Sequence, residues 1–224
     1  MILAPEKRFL FIHVPKAAGT SINSALSLHD VFYPVRGHSV AAREAHAEKC
    51  GLSPAAAQLG EHADAKQFIS VLGRAAYDSY YAFAFVRNPW DVAVSWFHYR
   101  LINPAVGGHA EAEASGTFET YVRRVLTKPD GAKRVGLQLP FLVDEEGKLA
   151  VTFLGRYESL EADFAQVVAR LAVPILPLDH FNQSYHDPWP SLYSRETFEI
   201  VGKLVAADAK LLGYANDPDA YGIR

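Results

Sequence analysis

The sequence contains almost no cysteine and carries no excess of basic charge. Cys50 is the single cysteine among 224 residues, so the chain cannot form an internal disulfide or a cysteine-based metal cluster. The 22 Lys and Arg residues stand against 25 Asp and Glu residues, for a net charge of −3. This balance excludes the broad basic field that drives non-specific nucleic-acid binding. An anionic ligand must therefore be held by local groups.

Long apolar runs, internal repeats and low-complexity linkers are also missing. The apolar runs are too short to span a bilayer, and the N-terminal residues MILAPEKRFLFIHVPK do not resemble a signal peptide. We therefore expect a cytoplasmic protein. Hydrophobic residues make up 50% of the chain, as in ordinary globular proteins, and the length favours one domain over residues 1–224.

Short apolar runs alternate with helical patterns along the chain. Residues 9–14 and 81–86 are predicted strands, and each precedes a predicted helix. The second helix should begin with Asn88 as its N-cap and Pro89 in its first position. The other predicted elements are a helix over 159–172, a helix over 197–212, a hairpin over 139–153 and an exposed loop over 107–116. This alternation predicts an α/β fold with a central, mostly parallel sheet flanked by helices.

The segment HVPKAAGTS joins the first predicted strand to its helix. Its small residues let the backbone approach a ligand closely, and a helix N-terminus offers unpaired N–H groups and the positive end of a dipole. Lys16 adds a full charge, and Thr20 and Ser21 add hydroxyl donors. Because the lysine precedes Gly19 by three residues, the segment departs from the nucleotide triphosphatase motif G-x-x-x-x-G-K-[ST]. The residues alone leave two interpretations open, an anion site or a solvated loop.

Two stretches resemble a known family. PKAAGTS resembles the 5′-phosphosulfate-binding loop of sulfotransferases that use 3′-phosphoadenosine 5′-phosphosulfate (PAPS). FAFVRNPWDVAVSWFHYR resembles the strand and helix that bind the 3′-phosphate, with an arginine and a serine eight residues apart. FLGRYESLEADF and DAKLLGY are similar to further stretches of the carbohydrate-type branch. The resemblance implies a P-loop-like, three-layer fold with the donor across the ends of the parallel strands.

The resemblance also assigns residue roles. The donor-binding residues that it implies are Lys16, Ala17, Ala18, Gly19, Thr20, Ser21, Arg87 and Ser95. Lys16 would stabilise charge on the bridging oxygen of the donor, and Arg87 with Ser95 would hold the 3′-phosphate. Without the resemblance, Arg87 would be interpreted as a strand-end salt bridge to Asp91, and Ser95 as a small residue where helix meets sheet.

An acceptor hydroxyl needs a base, and an imidazole suits that task at neutral pH. His38, in a glycine-containing turn between the two motifs, is the predicted base, because the family often has a catalytic histidine or acid in this interval. The alternatives are His98, His13 and a carboxylate, although the apolar strand around His13 favours a packing role. His62 lies in no recognisable pattern. No carboxylate pair suited to a metal lies near the loop, so no metal is expected.

The predicted function is transfer of a sulfuryl group from PAPS to an acceptor hydroxyl, and a saccharide or glycoconjugate is the acceptor that the family branch suggests. Two alternatives stay open: a catalytically silent module that binds nucleotide, and a P-loop small-molecule kinase that requires ATP and magnesium. The region 181–198 stands where relatives carry a glycine–basic loop over the nucleotide. Its aromatic residues Tyr185, Trp189 and Tyr193 would either stack on the ligand or anchor the loop itself.

Overall fold

A computed structural model describes residues 1–35, 37–179 and 187–224. These residues form two compact units. The first contains residues 1–86 and 140–179, and the second contains residues 87–139 and 187–224. The single domain predicted over residues 1–224 stays a prediction.

The first unit is built on a four-stranded sheet. Its strands are β1 (Ile2–Ala4), β2 (Phe9–Ile12), β3 (Tyr81–Val86) and β4 (Phe153–Arg156). They lie in the order β1-β2-β3-β4, with β1 antiparallel to β2 and the other two pairs parallel. The predicted α/β fold with a mostly parallel sheet is therefore confirmed. The edge strand β1 was not predicted, since three residues are too few to show a period of two.

Twelve α-helices lie in the part of the chain that the structure describes. They are α1 (Gly19–Leu26), α2 (Val40–Lys49), α3 (Ala65–Leu72), α4 (Arg74–Tyr77), α5 (Pro89–Ile102), α6 (His109–Ser115), α7 (Phe118–Tyr121), α8 (Gly131–Val135), α9 (Leu139–Leu142), α10 (Leu160–Leu171), α11 (Arg195–Leu204) and α12 (Ala206–Leu212). None of them combines the length and apolar character needed to cross a membrane.

Both faces of strand β2 are buried. Side chains alternate along a strand, so Phe9 and Phe11 share one face while Leu10 and Ile12 share the other, and all four are at most 1% exposed. The phenylalanine face packs against α1 and α10. A strand that is buried on both faces reads as a continuous apolar run, which is why β2 and β3 were recognisable in the sequence.

The second unit is helical among its described residues, and its core surrounds Trp90 at the start of α5. The indole stacks on Phe198 of α11, with ring centroids 4.4 Å apart and planes 4° apart. Its Nε1–H donates to the Phe198 carbonyl at 3.0 Å. The predicted start of α5 is confirmed, because the Asn88 side chain accepts from the backbone N–H of Trp90 at 3.0 Å and Pro89 is the first helical residue.

Three local predictions were wrong. The segment 107–116 is not a loop, since α6 occupies most of it between Gly108 and Gly116, both of which have positive φ. Its alanine and glutamate residues are good helix formers. The hairpin is reduced to one antiparallel bridge between Val143 and Leu149, because residues before it form α9 and β4 pairs with β3 instead. The single helix expected over 197–212 is two helices, α11 and α12, which meet at Val205.

Candidate active site

The loop between β2 and α1 has an unusual backbone. Lys16 and Ala18 adopt left-handed conformations, with φ of 68° and 63°. Left-handed backbone costs a non-glycine residue on the order of 1 kcal/mol and is concentrated at functional sites. Successive turns of this kind can aim backbone N–H groups into one concave anion-binding surface. The loop is thus held in a conformation that its own residues do not favour.

The N-terminus of α1 presents donors toward the same loop. Its N-cap is Ala18, which has no side-chain acceptor and makes no capping hydrogen bond. The first intrahelical bond runs from the Ile22 N–H to the Ala18 carbonyl at 3.2 Å. The N–H groups of Gly19 and Thr20 precede that bond and have no intrahelical acceptor. Together with the helix dipole, these groups favour an anion at this point.

His13 fills the space beneath this helix start. The ring is 3% exposed, and a Cβ on Gly19 would lie only 1.7 Å from the His13 Cδ2 atom. Only glycine therefore fits above the imidazole. The Asn23 side chain of α1 donates from Nδ2 to His13 Nδ1 at 3.0 Å, which leaves the His13 proton on Nε2. Burial, the N-terminal ammonium and His62 together lower the pKa of His13 to about 2, so the ring is neutral at physiological pH.

His62 lies against His13, although the sequence offered no pattern that would single it out. Their ring centroids are 4.4 Å apart in an edge-to-face arrangement. A carbonyl can only accept, so the 3.0 Å contact between His62 Nδ1 and the His13 carbonyl requires the proton on Nδ1. The neutral ring then has its lone pair on Nε2. The His62 side chain is exposed. The contact with the His13 carbonyl therefore sets the tautomer of an imidazole that a ligand can reach.

One group of side chains among the described residues has the composition of a metal site. The ligand atoms of His13, Glu61 and His62 lie within 4.8 Å of one another. However, His13 Nδ1 already accepts from Asn23, and His62 Nδ1 already donates to a carbonyl. A metal at either Nδ1 atom would have to displace these bonds. The two Nδ1 atoms are therefore poorly placed to bind a metal, and the expected absence of a metal stays a prediction.

The carboxyl ends of β2, β3 and β4 lie at one edge of the sheet, because these strands are parallel. The Lys16 loop follows β2 at this edge, and Arg156 ends β4 there. Arg156 pairs in register with Val86, the last residue of β3. Its backbone N–H donates to the Asp163 carboxylate at 2.8 Å. This edge of the first unit therefore carries two cationic residues, where ligands bind in open α/β sheets.

Arg87, in the second unit, directly follows Val86 in the sequence. Its guanidinium donates from Nε to Asp91 Oδ2 at 2.6 Å and from Nη2 to Asp91 Oδ1 at 2.8 Å. Both side chains are about nine-tenths buried. The salt bridge considered in the sequence analysis is thus present. It fixes the plane of the guanidinium, and a role toward the 3′-phosphate stays a prediction.

Ser95 and the remaining candidate bases have different surroundings. Ser95 lies on α5, one turn after Asp91, and is 2% exposed. His98 is partly buried on the same helix, with its ring 5.1 Å from that of Phe97. His38 is exposed in the turn before α2, where its N–H donates to the Val35 carbonyl at 3.1 Å. Its catalytic role stays a prediction.

The aromatic residues that follow residue 186 act as anchors. Tyr193 is buried, and its hydroxyl donates to the Trp90 carbonyl at 2.9 Å. Burial, with a smaller contribution from the Asp91 charge, raises the pKa of Tyr193 well above its usual value. Trp189 packs edge-on against Tyr193 and Tyr221. Tyr185, the third aromatic candidate, lies outside the described residues.

The chain is thus an α/β protein in which a loop with a lysine, left-handed backbone and a helix start follows a parallel strand. Binding of an anion by this loop stays a prediction. Residues 1–197 match the model of the sulfotransferase family. The match covers most of the chain, and the protein belongs to the sulfotransferase family. No curated protein and no solved structure matches the chain.

Proposed function

We propose that the protein transfers a sulfuryl group from PAPS to a hydroxyl acceptor, with a saccharide or glycoconjugate as the acceptor class. Family membership supports a transferase of sulfuryl groups. The observation that carries the choice of donor is the Lys16 loop, in which two left-handed residues and the uncapped start of α1 surround a position suited to an anion. The lysine gives this position a full positive charge.

The loop residues would hold the 5′ end of the donor. When bound, PAPS supplies a sulfuryl group attached to a good leaving group, the 5′-phosphate. The backbone N–H groups of Ala18, Gly19 and Thr20 would donate to phosphate oxygens, with Ala17 and Ser21 completing the loop. Lys16 would neutralise charge that develops on the bridging oxygen as the bond to sulfur breaks. Such positioning and electrostatics supply most of the catalysis in transfers of this type.

Arg87 and Ser95 would hold the 3′-phosphate. The Asp91 carboxylate binds the Nε–Nη2 edge of the guanidinium. The guanidinium is therefore already oriented before a ligand arrives. A guanidinium can bind phosphate oxygens in a bidentate manner. The serine hydroxyl, one turn after Asp91 on α5, would add one further hydrogen bond.

Two histidines are the first candidates to test as the base that takes the acceptor proton, ahead of His98, His13 and a carboxylate. The family resemblance proposes His38. The geometry of the first unit favours His62, because the His13 carbonyl holds its Nδ1–H and thereby leaves Nε2 as a proton acceptor on an exposed ring. His62→Gln should lower turnover by about 10²–10⁴ with little change in donor affinity. His38→Gln is the matched comparison, and the variant that keeps normal turnover identifies the histidine that is not the base.

Calorimetry with the desulfated product, 3′-phosphoadenosine 5′-phosphate (PAP), tests the donor. We expect PAP to bind more tightly than ATP and to need no magnesium. Preference for ATP with a strict need for magnesium would instead support the kinase alternative. Tight PAP binding without transfer of labelled sulfate to any saccharide, lipid or peptide acceptor pool would support the silent module.

Arg87→Ala tests the 3′-phosphate contact. We expect PAP affinity to fall by about 2–4 kcal/mol, the scale of losing one side of a charge-assisted pair. Because the truncation also leaves Asp91 buried without its partner, the decisive readout is the comparison with 5′-AMP, which lacks the 3′-phosphate. An equal loss for PAP and 5′-AMP would show that Arg87 is purely structural.

A further inference from the structure

We infer that Gln138 and Asp208 are positioning residues that set Arg87 for recognition of a nucleotide 3′-phosphate. The inference rests on the proposed function, because it concerns the residue assigned to that phosphate. Gln138 lies outside the stretches that resemble the family, and Asp208 is the first residue of DAKLLGY. The sequence does not show that either residue acts on Arg87. The three residues belong to the second unit, and the contacts between them are buried.

Gln138 holds the backbone of Arg87 at both of its polar groups. The Arg87 N–H donates to Gln138 Oε1 at 2.9 Å, and Gln138 Nε2–H donates to the Arg87 carbonyl at 2.7 Å. A side-chain amide supplies one acceptor and one donor together, which neither a carboxylate nor a hydroxyl does at this spacing. Arg87 follows the last residue of β3, so this amide replaces the partner that a neighbouring strand would provide.

Asp208 in turn fixes Gln138. Its Oδ2 accepts from the Gln138 N–H at 2.6 Å, and its Oδ1 accepts from the Leu139 N–H at 3.3 Å. Both Gln138 and Asp208 are 1% exposed, so water does not compete for these bonds. Burial raises the pKa of Asp208, while the two backbone donors oppose that shift. The Asp208 carboxyl group is buried at a cost in desolvation, and its two bonds hold the backbone of residues 138–139 in place.

The turn before Gln138 admits only glycine. Gly136 has φ of 88°, and a Cβ there would lie 2.3 Å from the Trp96 ring. The chain therefore reverses directly against α5 and brings Gln138 beside Arg87. With Asp91 holding the guanidinium and Gln138 holding the backbone, both ends of Arg87 are fixed before any ligand binds. Preorganisation of this kind improves affinity, because the ligand does not have to order the side chain.

The test is the ratio of PAP affinity to 5′-AMP affinity, measured by calorimetry on the full chain. Gln138→Leu removes both bonds to Arg87 at similar volume, and we expect it to lower the ratio by about tenfold or more, a typical effect of misplacing a binding group. Asp208→Asn should lower the ratio in the same direction. It also serves as the second variant if Gln138→Leu does not fold.

Thr197→Val is the matched control. Thr197 is fully buried in the same unit, and among the described residues its hydroxyl hydrogen-bonds only within the capping box of α11. It should lower stability and leave the ratio unchanged. Folded Gln138→Leu and Asp208→Asn proteins that keep the parent ratio would overturn the inference and leave the proposed donor intact. A parent protein that binds PAP no better than 5′-AMP would instead overturn the proposed donor, and the inference with it.

Discussion

Gly19→Ala tests how the loop between β2 and α1 is built. The new methyl carbon would lie 1.7 Å from His13 Cδ2 and 2.0 Å from Nε2, about half the ~3.5 Å that separates carbon atoms in contact. Overpacking a core typically costs about 1–3 kcal/mol. The imidazole is buried and held by Asn23 at one side and His62 at the other, so it cannot move aside easily. We therefore expect a loss near the upper end, about 3 kcal/mol.

Urea denaturation followed by circular dichroism measures this loss, and calorimetry with PAP measures the accompanying loss of donor affinity. Gly107→Ala is the matched control, since no atom lies within 4 Å of its Cβ position, and it should change stability by less than about 0.5 kcal/mol. His13→Ala removes the ring, so Gly19→Ala should cost little in that background. The loss of unfolding free energy in the double variant should then differ from the sum of the two single losses by roughly 1–3 kcal/mol. Additive losses would refute the explanation.

Three further predictions concern charge, strain and packing in the first unit. The folded pKa of His13 is about 2 against 6.5 in its unperturbed state, so the unfolded chain binds the extra proton and stability falls as the pH drops below 6.5. By pH 5 the loss should reach about 2 kcal/mol, and parallel pH–stability curves for the parent and His13→Phe would contradict this. Ala18→Gly should stabilise the chain by about 1 kcal/mol, because glycine relieves the left-handed strain. Ala17→Gly should destabilise it. A thermal melt in which Ala18→Gly unfolds at a lower temperature than Ala17→Gly would exclude strain at Ala18. Gly155→Ala should cost about 1–3 kcal/mol in urea denaturation, because its Cβ would lie 2.4 Å from the Phe85 ring, and failure of Phe85→Leu to restore part of that loss would point to another cause.

Local signals accounted for the elements that the sequence predicted well. β3 has the predicted bounds, because six apolar residues in a row fit a strand that is buried on both faces. α5 begins where Asn88 and Pro89 predicted, and α10 covers most of the predicted segment. Capping and apolar spacing act within a few residues of each other, so both are visible without the fold.

The hairpin prediction was wrong because tertiary pairing outweighed a local pattern. The residues around DEEGK looked like a hairpin, but the Asp144 carboxylate accepts from the N–H groups of Glu146 and Lys148 and closes a local turn. β4 starts later and pairs with β3, a partner far away in the sequence. The choice between two strand partners depends on the whole sheet, and no local window contains that information.

The sequence by itself determined the α/β class through its apolar periodicities. It also determined that a lysine, small residues and a helix start adjoin one another in HVPKAAGTS, the basis for predicting an anion site there. Only the tertiary structure decided which groups surround those motifs. It places His62 against His13, 49 residues earlier, and Gln138 against Arg87, 51 residues earlier. Both pairs are joined through backbone groups of one partner. Since every residue except proline offers the same N–H and carbonyl, residue identity alone does not reveal such contacts.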